Sequence, residues 1–106
     1  MGATVVYSGA ITVSTETDLY TNSDTTKKSM VLKLSLYNPD SSAVAVEIWV
    51  TDGSNVHKSC LLKSSVSALA VIADSGKTIL LPGYKIRFIS ASSTTKIEAS
   101  IYEGLA

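Results

Sequence analysis

Apolar and polar residues alternate with a period of two along most of this chain. In the stretch KSMVLKLSLYNPDSSAVAVEIWVTDG, Met30, Leu32, Leu34 and Leu36 fall on one side of an extended run, with Val31, Lys33, Ser35 and Tyr37 on the other. Beyond Asn38-Pro39-Asp40-Ser41-Ser42, the residues Val44, Val46, Ile48 and Val50 share one side, and Ala45, Glu47 and Trp49 the other. Such alternation marks strands with one face in a core. Pro39 presets φ for a turn, and Asn38 and Asp40 bond readily to nearby backbone, so the two runs predict a β-hairpin at the centre of the fold.

Shorter runs repeat the pattern. A strand is expected over Val56 to Leu62, after the turn Asp52-Gly53-Ser54-Asn55. Ser67 to Asp74 contains Ala and Leu that also suit a helix, but Val71-Ile72 and the turn Asp74-Ser75-Gly76 favour a strand. Ile79 to Leu81 leads into Pro82-Gly83, which fits the central positions of a type II turn. Lys85 to Ser90 sets Ile86 and Phe88 against Arg87 and Ile89, and the last run points Ile97, Ala99 and Ile101 inward. The opening stretch TVVYSGAITVSTETDLYT adds one or two strands. About eight short strands at turn spacings near 8–12 residues predict an all-β fold: a single-domain antiparallel β-sandwich of jelly-roll type spanning residues 1–106. Within it, residues 1–13 form an N-terminal arm or edge strand, because Thr4 to Val13 is apolar enough to pair yet poorly tied to the later turns.

Composition narrows the function. The 106 residues suffice for a core without staples, and 45% hydrophobic content argues against disorder. Charged residues make up only 17%, so the polar surface is mostly Ser and Thr, which packs against neighbours at little desolvation cost. Nine basic residues balance nine acidic ones, so no basic stripe for nucleic acid is expected. The lone Cys60 rules out an internal disulfide framework. The start MGATVVYSGAITV lacks the charged head and apolar core of a signal peptide, and no run approaches a membrane span. The expectation is a soluble protein made in a cytoplasm, with neither nucleic acid nor membrane as partner.

Residues suited to catalysis or metal binding are sparse. The only imidazole, His57, has Asn55 and Ser59 at strand spacing and no acidic residue placed locally to orient it. Cys60 reads as a small buried thiol sharing a face with Lys58 and Leu62, and two ligands are too few for structural zinc. Glu16 and Asp18 share a strand face, as a two-carboxylate glycosidase site would require, but a solvated face produces the same spacing. The turns Asn22-Ser23-Asp24 and Asn38-Pro39-Asp40 carry oxygens suited to calcium, although turn chemistry accounts for them without an ion. There is no phosphate-binding glycine loop or dinucleotide fingerprint. The chain is read as a non-enzyme, with no cofactor, metal or catalytic residue assigned.

What remains is a set of outward aromatics: Tyr7, Tyr20, Tyr37, Trp49, Tyr84 and Tyr102. If the leucine and valine sides of the central runs face the core, Val31, Tyr37 and Trp49 lie on the outer surface of one sheet. With Tyr20 and Tyr84, these residues are the candidates for protein-interface anchors or glycan contacts.

The order DLYT, a gap with lysines, VLKLSLYNPDSSAVAVEIWVTDG and then LLPGYKIRFISASSTTKIEASIYEG resembles small tailed-bacteriophage virion proteins, in particular head decoration (capsid cement) proteins. Members of that group run from Leu-Tyr-Thr through a long strand ending in Asn, a Ser-rich turn, a second long strand, a turn with Gly, and a closing strand ending in Gly. The resemblance spans Asp18 to Gly104. It implies a β-sandwich on the capsid surface of a virion, usually a homotrimer at a lattice axis, whose partner is the major capsid protein. Tail, neck and fibre-associated parts share the same order. Two other readings stand beside it: a carbohydrate-binding or host-adhesion module stacking Trp49 and Tyr37 on host surface glycans, and an enzyme whose site forms between subunits from His57 and a neighbour's carboxylate.

Overall fold

In the computed structural model, which describes residues 2–74 and 76–105, the chain forms nine strands in two antiparallel sheets. The first sheet runs in the order β1 (Gly2–Tyr7), β9 (Lys96–Leu105), β3 (Lys28–Tyr37) and β6 (Val71–Asp74), and β7 (Thr78–Leu80) also pairs with β3. The second runs β2 (Thr17–Thr21), β8 (Lys85–Ser90), β4 (Val44–Thr51) and β5 (His57–Val66). Among the described residues there is no helix, and both sheets contribute to one core. The architecture is a small all-β sandwich.

Strict alternation is realised where it was strongest. Val44, Val46, Ile48 and Val50 of β4, Ile86 and Phe88 of β8, and Ile97, Ala99 and Ile101 of β9 are all buried. Each large apolar side chain among them contributes about 1.5–3 kcal/mol through burial. The turn after β7 also forms as expected: Pro82 and Gly83 are central, Gly83 has φ +81, and the Tyr84 N–H donates to the Leu81 carbonyl at 3.0 Å.

The central pair of strands differs from expectation. β3 and β4 are not a hairpin; they belong to opposite sheets, and the Asn38-Pro39-Asp40 segment carries the chain across the sandwich. Their apolar faces meet across the core instead of lying side by side. The consecutive hairpin is β4 with β5, closed at Asp52, whose carboxylate accepts the N–H groups of Ser54 at 2.8 Å and Val56 at 3.1 Å.

The face of β3 also changes along its length. Its pairing with β9 slips between Val31 and Lys33, so Leu32 occupies an extra place in the strand. Val31 then joins Leu34 and Leu36 in the core at 2% exposure, while Met30 turns to the outer side. The expectation of an outward Val31 is therefore overturned by a bulge.

Two buried asparagines lock the crossings between sheets. Asn22 follows β2, and its amide donates to the carbonyls of Lys27, Leu80 and Leu81 at 3.0–3.2 Å. Asn38 follows β3 and donates to those of Ser42, Val66 and Ser67 over the same range of distances. A carbonyl-rich corner cannot be buried without such donors.

The remaining differences are local. Residues 67–70 form a turn ahead of β6, with Leu69 at φ +58, so that strand is shorter than Ser67 to Asp74. Of the turn expected at Asp74-Ser75-Gly76, Ser75 lies outside the described residues, and the Gly76 N–H donates to the Asp74 carboxylate at 2.8 Å. Of the N-terminal segment, Met1 lies outside them too; β1 is an edge strand of the chain's own first sheet, and Ile11 is buried in the core.

Candidate functional site

The two sheets each present one outer face to solvent. On the second sheet, cross-strand register places Asp18, Arg87, Trp49 and Cys60 in one row from β2 through β8 and β4 to β5. Arg87 is the hub. Its Nε donates to Asp18 at 2.7 Å and its Nη1 to Glu16 at 2.6 Å, while Nη2 reaches the Glu16 carbonyl at 3.2 Å. Lys85 lies 3.5 Å from Asp18 and donates to the Asn55 side chain at 3.0 Å.

The other oxygen of Glu16 is 2.5 Å from His57 Nε2, and the imidazole stacks on Trp49 with centroids 4.1 Å apart and planes 12° from parallel. The indole N–H donates to Glu47 at 2.9 Å. His57 thus has the acidic partner that its sequence neighbours lacked, supplied from 41 residues away. Glu16 and Asp18, read together as a carboxylate pair, are both hydrogen-bonded to one guanidinium. As arranged, the cluster clamps β2 to β8 and seats β5 against β4.

Several expected positions are revised here. Cys60 is exposed rather than buried, because β5 is an edge strand and pairs Cys60 with Trp49 on the outer side. Tyr37 and Trp49 do not share a face: Tyr37 lies on the outer side of the first sheet and Trp49 on that of the second. Tyr84 is half-buried against the core. Tyr20 is not a surface anchor at all, since only 9% of it is exposed. Its hydroxyl donates to Glu103 at 2.6 Å and lies 3.2 Å from Ser29 Oγ. Burial, with the adjacent Glu103 carboxylate second, pushes its pKa up to about 12.

The oxygen-rich turns are satisfied from within. Asp24 accepts from the Thr26 N–H at 2.8 Å, the Thr26 hydroxyl and the Lys27 N–H, which hold its carboxyl below the usual range. Asp40 accepts from the hydroxyls of Thr94 and Ser92, with the same effect. Among the described residues, no group of three or more His, Cys, Asp or Glu is placed to hold a metal ion. An apolar cavity of about 30 Å³ between β5 and β6, lined by Leu61, Leu62 and Ile72, is too small for anything beyond a solvent-sized guest.

The outer face of the first sheet has a different character. Val5 and Tyr7 of β1, Tyr102 of β9, Tyr37 of β3, Val71 of β6 and Ile79 of β7 are all exposed large apolar or aromatic residues. Register sets them in rows: Ala3, Tyr102, Met30 and Ile79 in one, and Tyr7, Glu98, Ser35 and Ala73 in another. Lys33, Ser35, Glu98 and Ser100 share this face, so exposed rings and aliphatic groups alternate there with polar side chains. The sequence pattern turns Tyr7, Tyr37 and Tyr102 outward but passes over Val5, Val71 and Ile79 and does not join them on one face, because only strand order brings β1, β9, β3 and β6 together. No protein-family model matches the chain, and no curated protein matches it.

Proposed function

We propose that this chain is a structural protein of a bacteriophage particle. It decorates or cements the capsid surface and stabilises the head through multivalent contacts with the major capsid protein. It is made in the host cytoplasm, is carried on the virion, and acts through binding rather than catalysis. The observation that carries this reading is the outer face of the first sheet, where Val5, Tyr7, Tyr37, Val71, Ile79 and Tyr102 are exposed to solvent. Aromatic residues in such a setting are the usual anchors of protein interfaces.

Strand order supports the finer architecture. With β7 set aside, β1-β9-β3-β6 faces β2-β8-β4-β5, the arrangement expected of a jelly roll, which capsid and lectin domains share. Several copies seated on one capsid lattice would gain affinity by simultaneous engagement, so modest contacts suffice for each one. The low charge of the chain keeps the desolvation cost of that packing small.

A second reading, a carbohydrate-binding or host-adhesion module of a tail, neck or fibre, draws on the same face. Tyr7 shares a row with Glu98 and Ser35, a ring platform beside groups that bind sugar hydroxyls. Trp49 suits that role less well, because His57 covers one side of its ring.

The test is co-sedimentation of the purified chain with expanded heads of the phage whose genome encodes it, alongside a glycan array. Saturable binding to heads, lost in a Tyr37→Asp, Val71→Asp double variant that remains folded, is the expected result. Failure to bind heads together with specific glycan retention would replace the first reading by the second.

A further inference from the structure

The sandwich has four lateral edges, and three of them are defended against strand pairing. β2 carries Asp18 and a register slip; β5 carries Lys58 and Lys63 and two bulges of its own, at Leu61 and Lys58; β6 and β7 are four and three residues long. The fourth, β1, is GATVVY: six residues without charge or proline, paired to β9 with no slip. An exposed, regular, uncharged edge is a template for another strand.

Its free groups can be identified. The Ser8 N–H donates to the Ile97 carbonyl at 2.8 Å, and pairing continues unbroken from Tyr7 back to Gly2. Antiparallel pairs alternate in which residues bond inward, so Thr4 and Val6 bond to β9, while Ala3, Val5 and Tyr7 direct their N–H and C=O groups away from it. The side chains of these same three residues lie on the outer face of the sheet, with Val5 46% and Tyr7 67% exposed.

We infer that β1 is a self-pairing edge, and that its occupant is β1 of a second copy of this chain, antiparallel and related by a two-fold axis at Val5. In that register Val5 meets Val5, and Ala3 of each copy meets Tyr7 of the other. Three N–H donors of each copy then meet three carbonyls of its mate, using every outward group of residues 3, 5 and 7. Shape argues for this occupant in particular. Ala3 already stands beside Tyr102 in its own sheet, so the incoming Tyr7 ring fills the space over a small residue and approaches an exposed tyrosine. No charge is buried in the contact, and the outer faces of the two first sheets join into one surface of twice the width. This dimer contact goes beyond the capsid-binding proposal and does not depend on it.

Light scattering after size exclusion, over about a hundredfold range of concentration, tests the inference. The expected result is a monomer–dimer equilibrium that Val5→Lys weakens by at least about tenfold, because two like charges would meet at the axis. Val5→Pro should weaken it similarly while keeping the fold, since the N–H it removes is one that does not bond to β9. Independently, Ala3→Cys with Tyr7→Cys in a Cys60→Ser background should form a covalent dimer under oxidation. Within one copy the two sites lie about 13 Å apart, too far to bridge each other. A chain that stays monomeric throughout, an oligomer indifferent to both Val5 variants, or a cysteine pair that fails to cross-link would each overturn the assignment.

Discussion

The Tyr20 hydroxyl donates to the Glu103 carboxylate at 2.6 Å and so ties β2 of one sheet to β9 of the other. Burial and the neighbouring carboxylate both favour the neutral phenol, raising its pKa from 10.0 to about 12. A group that holds its proton more tightly when folded stabilises the fold below its unfolded pKa and loses that contribution as pH rises through the folded one. Stability should therefore decline between about pH 10 and pH 12. Tyr20→Phe removes the charge-assisted bond, costs about 2 kcal/mol near neutrality and flattens that alkaline decline. Urea denaturation of both proteins across this range checks it; parallel alkaline slopes would sink the argument.

Asn38 has the clearest structural duty in the chain. Two amide hydrogens serve three carbonyls at the crossing from β3 to β4, and the residue is fully buried. Asn38→Ala would leave those acceptors without a donor at roughly 3 kcal/mol, seen as a lower denaturation midpoint with an unchanged slope. Asn22→Ala should behave alike at the other crossing. An equally large loss in Asn38→Asp, where a carboxylate would face carbonyls, would distinguish lost donors from lost volume.

These corners show where the sequence is informative and where it falls short. The inward faces of β4, β8 and β9 follow from strict alternation, since a pleated strand with one buried side leaves no other choice of residues. Val31 escaped that logic because a single extra residue, Leu32, reverses the face of half of β3. Local pattern sets Tyr37 and Trp49 on one surface because the turn between their strands resembles a hairpin turn, yet Asn38 makes it a crossing. Glu16 and His57, 41 residues apart, meet only because β2 and β5 lie at opposite edges of a sheet narrow enough for long side chains to span. Pairings of that kind are set by strand order, which local pattern does not encode.

Asp40, Asp24 and Asp52 each accept hydrogen bonds that favour the ionised form. The leading donors are the Thr94 hydroxyl, the Thr26 N–H and the Val56 N–H respectively, and all three carboxyls are held below the ordinary 3.8. A depressed folded pKa gives stability that is present above the unfolded value and lost as pH falls through the folded one. Acid should therefore loosen these turns below about pH 4. Replacing Asp40 by Asn ought to shift the acid unfolding curve toward less pH dependence, read by circular dichroism.

Arg87 holds two carboxylates at once, and its side chain is largely shielded from solvent. A lysine at that position offers one compact ammonium in place of a planar fork, so Arg87→Lys should recover little of what Arg87→Ala loses. The expected cost of the alanine variant is about 1–2 kcal/mol, smaller in high salt because Asp18 is partly exposed. Guanidine-free thermal melts at low and high ionic strength measure both terms. A cost that does not change with salt would mean that the guanidinium acts through packing on the sheet rather than through its charge.

Trp49 is the only tryptophan, so fluorescence reports on this cluster alone. The imidazole of His57 covers one face of the indole at 4.1 Å and is itself held by Glu16. His57→Ala exposes that face to water and should move the emission to longer wavelength, with a stability change of under about 1 kcal/mol because the pair is at the surface. Glu16→Gln keeps a hydrogen-bond partner for the ring but removes the charge facing both His57 and Arg87. Its emission should therefore stay close to that of the parent protein, while its stability falls with the loss of the Arg87 contact. If both variants shift the emission equally, the stack depends on the carboxylate's charge, and the ring is held over Trp49 by electrostatics rather than by its own contact with the indole.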